Sequence, residues 1–340
     1  MQVVWFMMRR LVLALVVLVC VSILTFVVAR IVPSDPAALF AGPRPTVEQI
    51  ENARVKLGLG RPLYVQYARF MSDVVTGDFG TSFKSKRAIT TDLRTFLPAT
   101  LELVLAATIL AFVVGVPIGV LASRRPNGVL DQTSRIGAIA GVSIPTFWLA
   151  MLLQLVFFKW LGWLPLSGRN SNEIALLDPI TPVTGFNTVD ALLSANWSGF
   201  TDSVSHLVLP ALALAAYPIG LVVRMTRTSM VDVLNERYIL AARALGFSER
   251  TILFRLALKN AISPTLTVLG LTFAFSLTGA FLVEVIFAWP GLGRYVTDAI
   301  LNLDFPVIMA VTLVATCFYV GVNFIVDLLQ ALIDPRIEVR

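Results

Sequence analysis

Reactive side chains and charge are both scarce in this sequence. The 340 residues contain one histidine and two cysteines, and Asp, Glu, Lys and Arg together make up 14% against about 25% in soluble domains. Cys20 and Cys317 fall inside apolar runs, where they read as small core residues that offer no disulfide or metal framework. His206 stands alone at one end of an apolar run and reads as a hydrogen-bonding anchor, since no serine can be paired with it as a nucleophile. No group of His, Cys, Asp and Glu has metal-ligand spacing, so no metal site is expected. The dipeptide Gly-Lys does not occur, which excludes a Gly-x-x-x-x-Gly-Lys phosphate loop and, with it, ATP hydrolysis by that device within this chain.

What the chain has in abundance is apolar side chain, at 57% of residues, more than a soluble fold of this length can hide. Six runs, at 11–29, 101–122, 136–158, 207–223, 264–286 and 306–333, are long enough to cross roughly 30 Å of hydrocarbon. The first follows Arg9 and Arg10 as a signal peptide would. Its apolar core is too long for that, and no small-x-small cleavage site follows before Pro33, so it reads as a retained helix. The net charge of +6 does not indicate nucleic acid, because the basic residues flank the runs as topology demands. With the N-terminus inside, Arg9, Arg10, Arg124, Arg125, Arg135, Arg336 and Arg340 all fall on the cytoplasmic side. The opposite short loops then hold only Lys159, Arg169 and Arg294. The 30–98 segment carries ten Lys or Arg but exceeds the length over which such counting is informative. The expectation is an all-α protein with six transmembrane helices in lipid and both termini cytoplasmic.

Between the fourth and fifth runs, residues 224–260 read as a helix–turn–helix. Val231, Leu234, Tyr238, Ala241, Ala242 and Leu245 recur at helical spacing and make one apolar stripe. Gly246 supplies a left-handed stop, and Ser248 caps a second helix with Glu249 at its positive end and Arg255 and Lys259 at its negative end. Arg224, Arg227, Arg237, Arg243, Arg250, Arg255 and Lys259 place the insert on the cytoplasmic side. A structured basic hairpin at a membrane surface is a docking device for a cytoplasmic partner in preference to a DNA-reading motif or a linker.

The 30–98 segment reads as an external excursion with a helix at 46–59, capped by Thr46 and supported by Glu48, and a second at 64–75. The second packs through Tyr64, Tyr67, Phe70 and Met71, and a turn follows at Gly77-Asp78-Phe79-Gly80. Residues 160–205, rich in Gly, Pro, Asn and Ser, read as an irregular lid. Two ionisable residues, Glu284 and Asp327, stand out within the runs as functional candidates or as groups close enough to an interface to reach water. Glu284 is expected to be structural or gate-related and not a proton carrier. Pro117, Pro145, Pro210 and Pro218, with Gly115, Gly119, Gly141 and Gly220, allow kinks and close helix approach, around a cavity or in ordinary packing. Ser276, Thr278 and Gly279 are candidates for a translocation path, although Ser and Thr equally bond their own helix backbone.

Several stretches resemble the permease subunits of bacterial ABC importers, in the dipeptide and oligopeptide branch, over essentially the whole chain. They are Val32-Pro33-Ser34-Asp35-Pro36, the run from Leu57 to Tyr67, Gly77 to Phe83, Leu97-Pro98-Ala99-Thr100-Leu101-Glu102-Leu103 and Ser143-Ile144-Pro145-Thr146-Phe147-Trp148. The most specific are Glu284 to Arg294, with Glu284, Pro290, Gly291 and Gly293 as its marked positions, and Asp334-Pro335-Arg336. The family's coupling loop has Glu-Ala-Ala, three residues, then Gly. Here Ala241, Ala242 and Gly246 match while Leu240 replaces the glutamate, and the later Ile-x-Leu-Pro element reads Leu256-Ala257-Leu258-Lys259.

The resemblance implies a type I importer architecture in the bacterial inner membrane. It divides the chain into residues 1–100, the first helix with the external region, and 101–340, a five-helix core with the coupling loop at 224–263. It implies that Tyr238, Ala241, Ala242, Arg243, Ala244, Leu245 and Gly246 engage an ATPase. It also implies a second permease subunit in a heterodimer, two ATP-binding subunits that hold ATP and Mg, and an external substrate-binding protein, with no cofactor held by this chain. Peptides are the expected cargo. An ion-coupled secondary transporter is the alternative, and it would need ionisable groups at midplane and the inverted repeats that this sequence lacks.

Overall fold

The computed structural model describes residues 2–31, 35–42 and 44–333, so the motifs at 32–34 and 334–336 lie outside the described residues. Helix α1 (Gln2–Ile31) is followed by the short α2 (Pro36–Ala41), α3 (Val47–Lys56) and α4 (Leu63–Val75). The long α5 (Ile89–Ser123) leads into α6 (Val129–Ser143) and α7 (Thr146–Leu153), which ends in a π-helical turn at Gln154–Trp160. Then come α8 (Asn172–Leu177), α9 (Asn187–Leu193), α10 (Trp197–Leu234) and α11 (Arg237–Ala244). A single turn, α12 (Glu249–Thr251), passes through a π-helical stretch at Ile252–Ala257 into α13 (Leu258–Ile286), and α14 (Leu292–Leu301) and α15 (Phe305–Ile333) close the chain.

Among the described residues five helices are long and apolar enough to cross a membrane, and a sixth candidate is the broken pair of α6 with α7 and its π turn, bent by 104°. The break has a local cause. Proline disfavours helical backbone in the residue before it, and Ile144 is extended at ψ 124° ahead of Pro145, the residue that precedes α7. The 136–158 run is therefore two helices at an angle. The 207–223 run, in contrast, is only the apolar middle of α10. At 38 residues α10 spans about 57 Å, well beyond the hydrocarbon, so it projects at both ends.

Helices α5 and α10 form the spine. Added methyl groups on Gly115 and Gly119 would press on Val222 at 2.7 Å and on Thr226 Cβ at 2.7 Å, so these glycines set the approach of the two backbones. One apolar core joins Leu103, Ala107, Leu209, Ala213, Val283, Phe287 and Trp289 at the end that carries residues 160–205, here the loop end. Another joins Val116, Val120, Val222, Met230, Leu234, Ile239, Ala242, Ile252 and Leu253 at the opposite, hairpin end. Helix α1 packs on α15, and an Arg10–Asp327 ion pair of 2.8 Å links them.

Three local expectations change. Cys20 and Cys317 are exposed, on outward faces of α1 and α15, because helical phase turns them away from the bundle. Residues 160–205 contain α8, α9 and the start of α10, so they are not irregular; Ser171 and Asn196 cap α8 and α10 through their side chains. In the 30–98 segment α3 and α4 form where expected. The partner of the Thr46 cap is Gln49, which completes a capping box, and Tyr64 is 75% exposed while Tyr67 and Phe70 pack on Phe26 of α1.

Candidate functional site

Two constructions stand out, one at each end of the bundle. At the loop end, Glu284 is wholly buried, close to where α13 gives way to the turn before α14. Its carboxylate accepts the Thr100 hydroxyl at 2.6 Å and the Arg294 amide at 3.1 Å, while Thr100 Oγ1 accepts the Leu292 amide at 2.8 Å. Leu292 and Arg294 are the first and third residues of α14, whose amides have no partner within the helix. Glu284 and Thr100 thus cap α14 from two other helices. A methyl on Gly291 would overlap the Glu284 carboxylate, and one on Gly293 would overlap the Phe281 backbone, which is why both positions are glycine. The expectation that Glu284 lies close enough to an interface to reach bulk water is overturned: it is fully buried, with Thr100, Gly291 and Gly293 packed against its carboxylate.

Next to this cluster Trp289 donates from its indole to Ala99 O at 2.9 Å, and the Arg169 guanidinium lies 5.8 Å from the Trp289 ring. Arg169 also pairs with Glu102 on α5 and donates to Gly185 O at 2.6 Å, which ties residues 160–205 to the core. Gly168 N donates to Phe287 O at 2.8 Å beside it. Glu102 is a third charge within the runs, beside Glu284 and Asp327, and its sequence signal is a carboxylate two residues after Thr100, at the mouth of the 101–122 run.

At the opposite end α11 and α12 form the hairpin. Gly246 adopts φ +78°, Phe247 N donates to Ala242 O at 3.2 Å, and Ser248 Oγ accepts the Thr251 amide at 3.3 Å. An Arg243–Glu249 pair of 3.2 Å spans the turn, and Asn260 donates to the Tyr238 hydroxyl at 2.7 Å. The apolar stripe is not continuous. The chain leaves helix at Asn235 and Glu236, which resets the phase, so Leu234, Ile239 and Ala242 face the core while Tyr238, Ala241 and Leu245 face outward. Leu240 at 55% exposure, Leu245 at 78% and Phe247 at 50% join them, with Arg243 and Ala244 also exposed.

Of the path candidates, Ser276 is buried, Gly279 borders open space, and the side chain of Thr278 lies outside what is described. The exposed face of α13 is carried by Leu271, Phe275 and Leu282. His206 is a buried anchor whose Nδ1 lies 2.9 Å from Asp202 O.

A helical bundle with five helices and a broken pair able to cross a membrane, a basic surface hairpin and no nucleotide loop of its own defines a multi-pass membrane protein. The family described as binding-protein-dependent transport system inner membrane component matches residues 115–339, and its N-terminal counterpart matches residues 3–104. The chain belongs to that family, as a permease subunit that works with other subunits of an ABC importer. It is 45% identical to the probable D,D-dipeptide transport system permease protein DdpB of Escherichia coli K12, over 98% of this chain and 97% of that one. It is 40% identical to the dipeptide transport system permease protein DppB of Alkalihalophilus pseudofirmus, over 97% and 98%. Its fold resembles an inward-facing structure of the MetNI methionine ABC transporter, with TM-score 0.52 and 16% identity over 69% of this chain and 93% of that one.

Proposed function

We propose that this chain is one of two permease subunits of an importer that carries di- and oligopeptides across the bacterial inner membrane. The second permease is a homologue, and two ATP-binding subunits, which hold ATP and Mg, seat on residues 238–246. An external binding protein delivers cargo to the loop end, and both termini are cytoplasmic. The observation that carries the reading is the hairpin. Its inward residues Ile239 and Ala242 are locked into the core of α5, α10 and α13, and its outward residues Leu240, Leu245 and Phe247 are left exposed. A lever needs both properties, a rigid root and a free apolar face, so that closure of the ATPases is passed to the spans as a rigid-body rotation. The cargo class rests on the dipeptide transport named for the relatives.

The division into 1–100 and 101–340 is one of role and not of packing, since α5 runs unbroken through residue 100. An ion-coupled mechanism is disfavoured because Glu102 and Glu284 are each engaged by several donors. The test is Leu245→Asp in the complete importer. The permease is expected to insert and pair normally while ATPase recovery and peptide uptake fall together; full uptake by that variant overturns the docking assignment.

A further inference from the structure

Beside the seam of α6 and α10 lies a cavity of about 520 Å³ that the transport reading does not use. At one limit the helices touch. A methyl on Gly220 would come 2.6 Å from Ala138 O, and one on Gly141 2.7 Å from Ala216 O. At the other, Arg227 clamps the fully buried Asp131, Nε to Oδ1 at 2.9 Å and Nη2 to Oδ2 at 2.8 Å. Between these fixed points the lining has two characters. Arg135, Arg224, Ser134 and Thr228 gather toward the hairpin end, while Ile139 and Val142 make an apolar wall deeper in. Asp131 is bonded to Arg227 and also acts through space on Arg135, so three guanidiniums, Arg135, Arg224 and Arg227, share this one carboxylate, and neither Arg135 nor Arg224 makes a close ion pair among the described residues. The apolar wall continues onto the open side of α6, where Ile136 is 69% and Ile139 65% exposed.

We propose that this cavity binds an anionic phospholipid, with its phosphate against Arg135 and Arg224 and the start of an acyl chain along Ile139 and Val142. Three features select that ligand. Three guanidiniums against one carboxylate leave an excess of positive charge that calls for an anion, and the forks of Arg135 and Arg224, not bonded to that carboxylate, suit a phosphate. A zwitterionic headgroup would bring its own cation to the same arginines. The adjoining apolar wall has no use for a free inorganic anion but matches a chain that continues into the bilayer. A basic pocket between helices at a membrane surface is where headgroup recognition is expected, each cation adding roughly fivefold to binding.

The experiment uses the assembled importer in nanodiscs, with Cys20→Ser and Cys317→Ser removing the two exposed thiols and Ile139→Cys carrying a fluorophore. Phosphatidylglycerol with brominated acyl chains is expected to quench at mole fractions at least roughly fivefold lower than brominated phosphatidylcholine, and Arg135→Gln with Arg224→Gln should bring the two together. Native mass spectrometry of the unlabelled, unsubstituted complex should retain phosphatidylglycerol in preference to phosphatidylcholine, which keeps the test independent of how the variants fold. Equal quenching by both lipids overturns the proposal, as does absence of quenching by either, the result expected if a partner subunit covers this face. Loss of the preference on adding millimolar inorganic phosphate would assign the site to a free anion and overturn the lipid. None of these readouts depends on cargo or on ATPase docking.

Discussion

Arg169 holds Glu102 across the loop end of the bundle, with Nε at 2.9 Å and Nη2 at 2.5 Å from one carboxylate oxygen. The other oxygen accepts the Thr188 amide at 2.8 Å and its hydroxyl at 2.7 Å. Residues 160–205 are thereby fixed to α5 at two points, by groups that are almost wholly buried. A segment held in this way moves with α5 and does not swing over it.

Breaking that pair on one side should be costly, because the remaining charge stays buried. Arg169→Met is expected to destabilise the protein by about 3 kcal/mol, and Glu102→Leu with Arg169→Met to recover part of the loss. Thermal unfolding of the purified permease in detergent measures both, and additive losses would count against a buried pair.

The α6–α10 seam should tolerate no side chain at its glycines. Gly220→Ala and Gly141→Ala each drive a methyl into a backbone carbonyl, which cannot rotate away, and are expected to cost about 1–3 kcal/mol. Gly279→Ala meets open space and should be near neutral, so the comparison in one unfolding assay separates packing from helix propensity.

In the hairpin, neighbouring alanines should behave oppositely. Ala242 packs among Ile239, Ile252 and Leu253, so Ala242→Trp is expected to lower stability before it affects docking. Ala241 faces outward, and Ala241→Trp should leave the melting temperature unchanged while reducing ATPase recovery. Equal melting temperatures for the two variants would contradict this orientation.

Asp190 gives the loop end a pH dependence. Burial alone would raise its carboxyl, but hydrogen bonds from the Thr184 hydroxyl and from the amides of Thr184, Val183 and Gly185 outweigh it and hold the group below the usual carboxylate range. A folded value below the unfolded one means that the stabilisation is complete above about pH 4 and is lost as pH falls through the lowered value. Amide protection factors over 183–193, that is exchange relative to the intrinsic rate at each pH, should fall between neutral and strongly acid pH, and Asp190→Asn should flatten that response.

Labelling in intact cells checks the orientation. Cysteine at Val47 should react with an impermeant reagent and cysteine at Leu240 should not, both sites being well exposed on the chain itself.

Residue types and their order were enough to determine the helical class and the apolar runs, the helices at Val47–Lys56 and Leu63–Val75, the Gly246 turn and the Ser248 cap. Each of these depends on hydropathy or on contacts within a few residues. Local reasoning failed where the deciding contact came from far along the chain. Pro145 indicates a kink but not its size, which is 104°. Glu284 looked close to water until Thr100, 184 residues earlier, and the α14 amides closed over it. Spacing makes the hairpin stripe one helix whereas it is two, so which of Ala241 and Ala242 faces outward does not follow from spacing alone. Only packing against α5, α10 and α13 decides it, because a helix shows its phase in sequence but not the direction from which its neighbours approach.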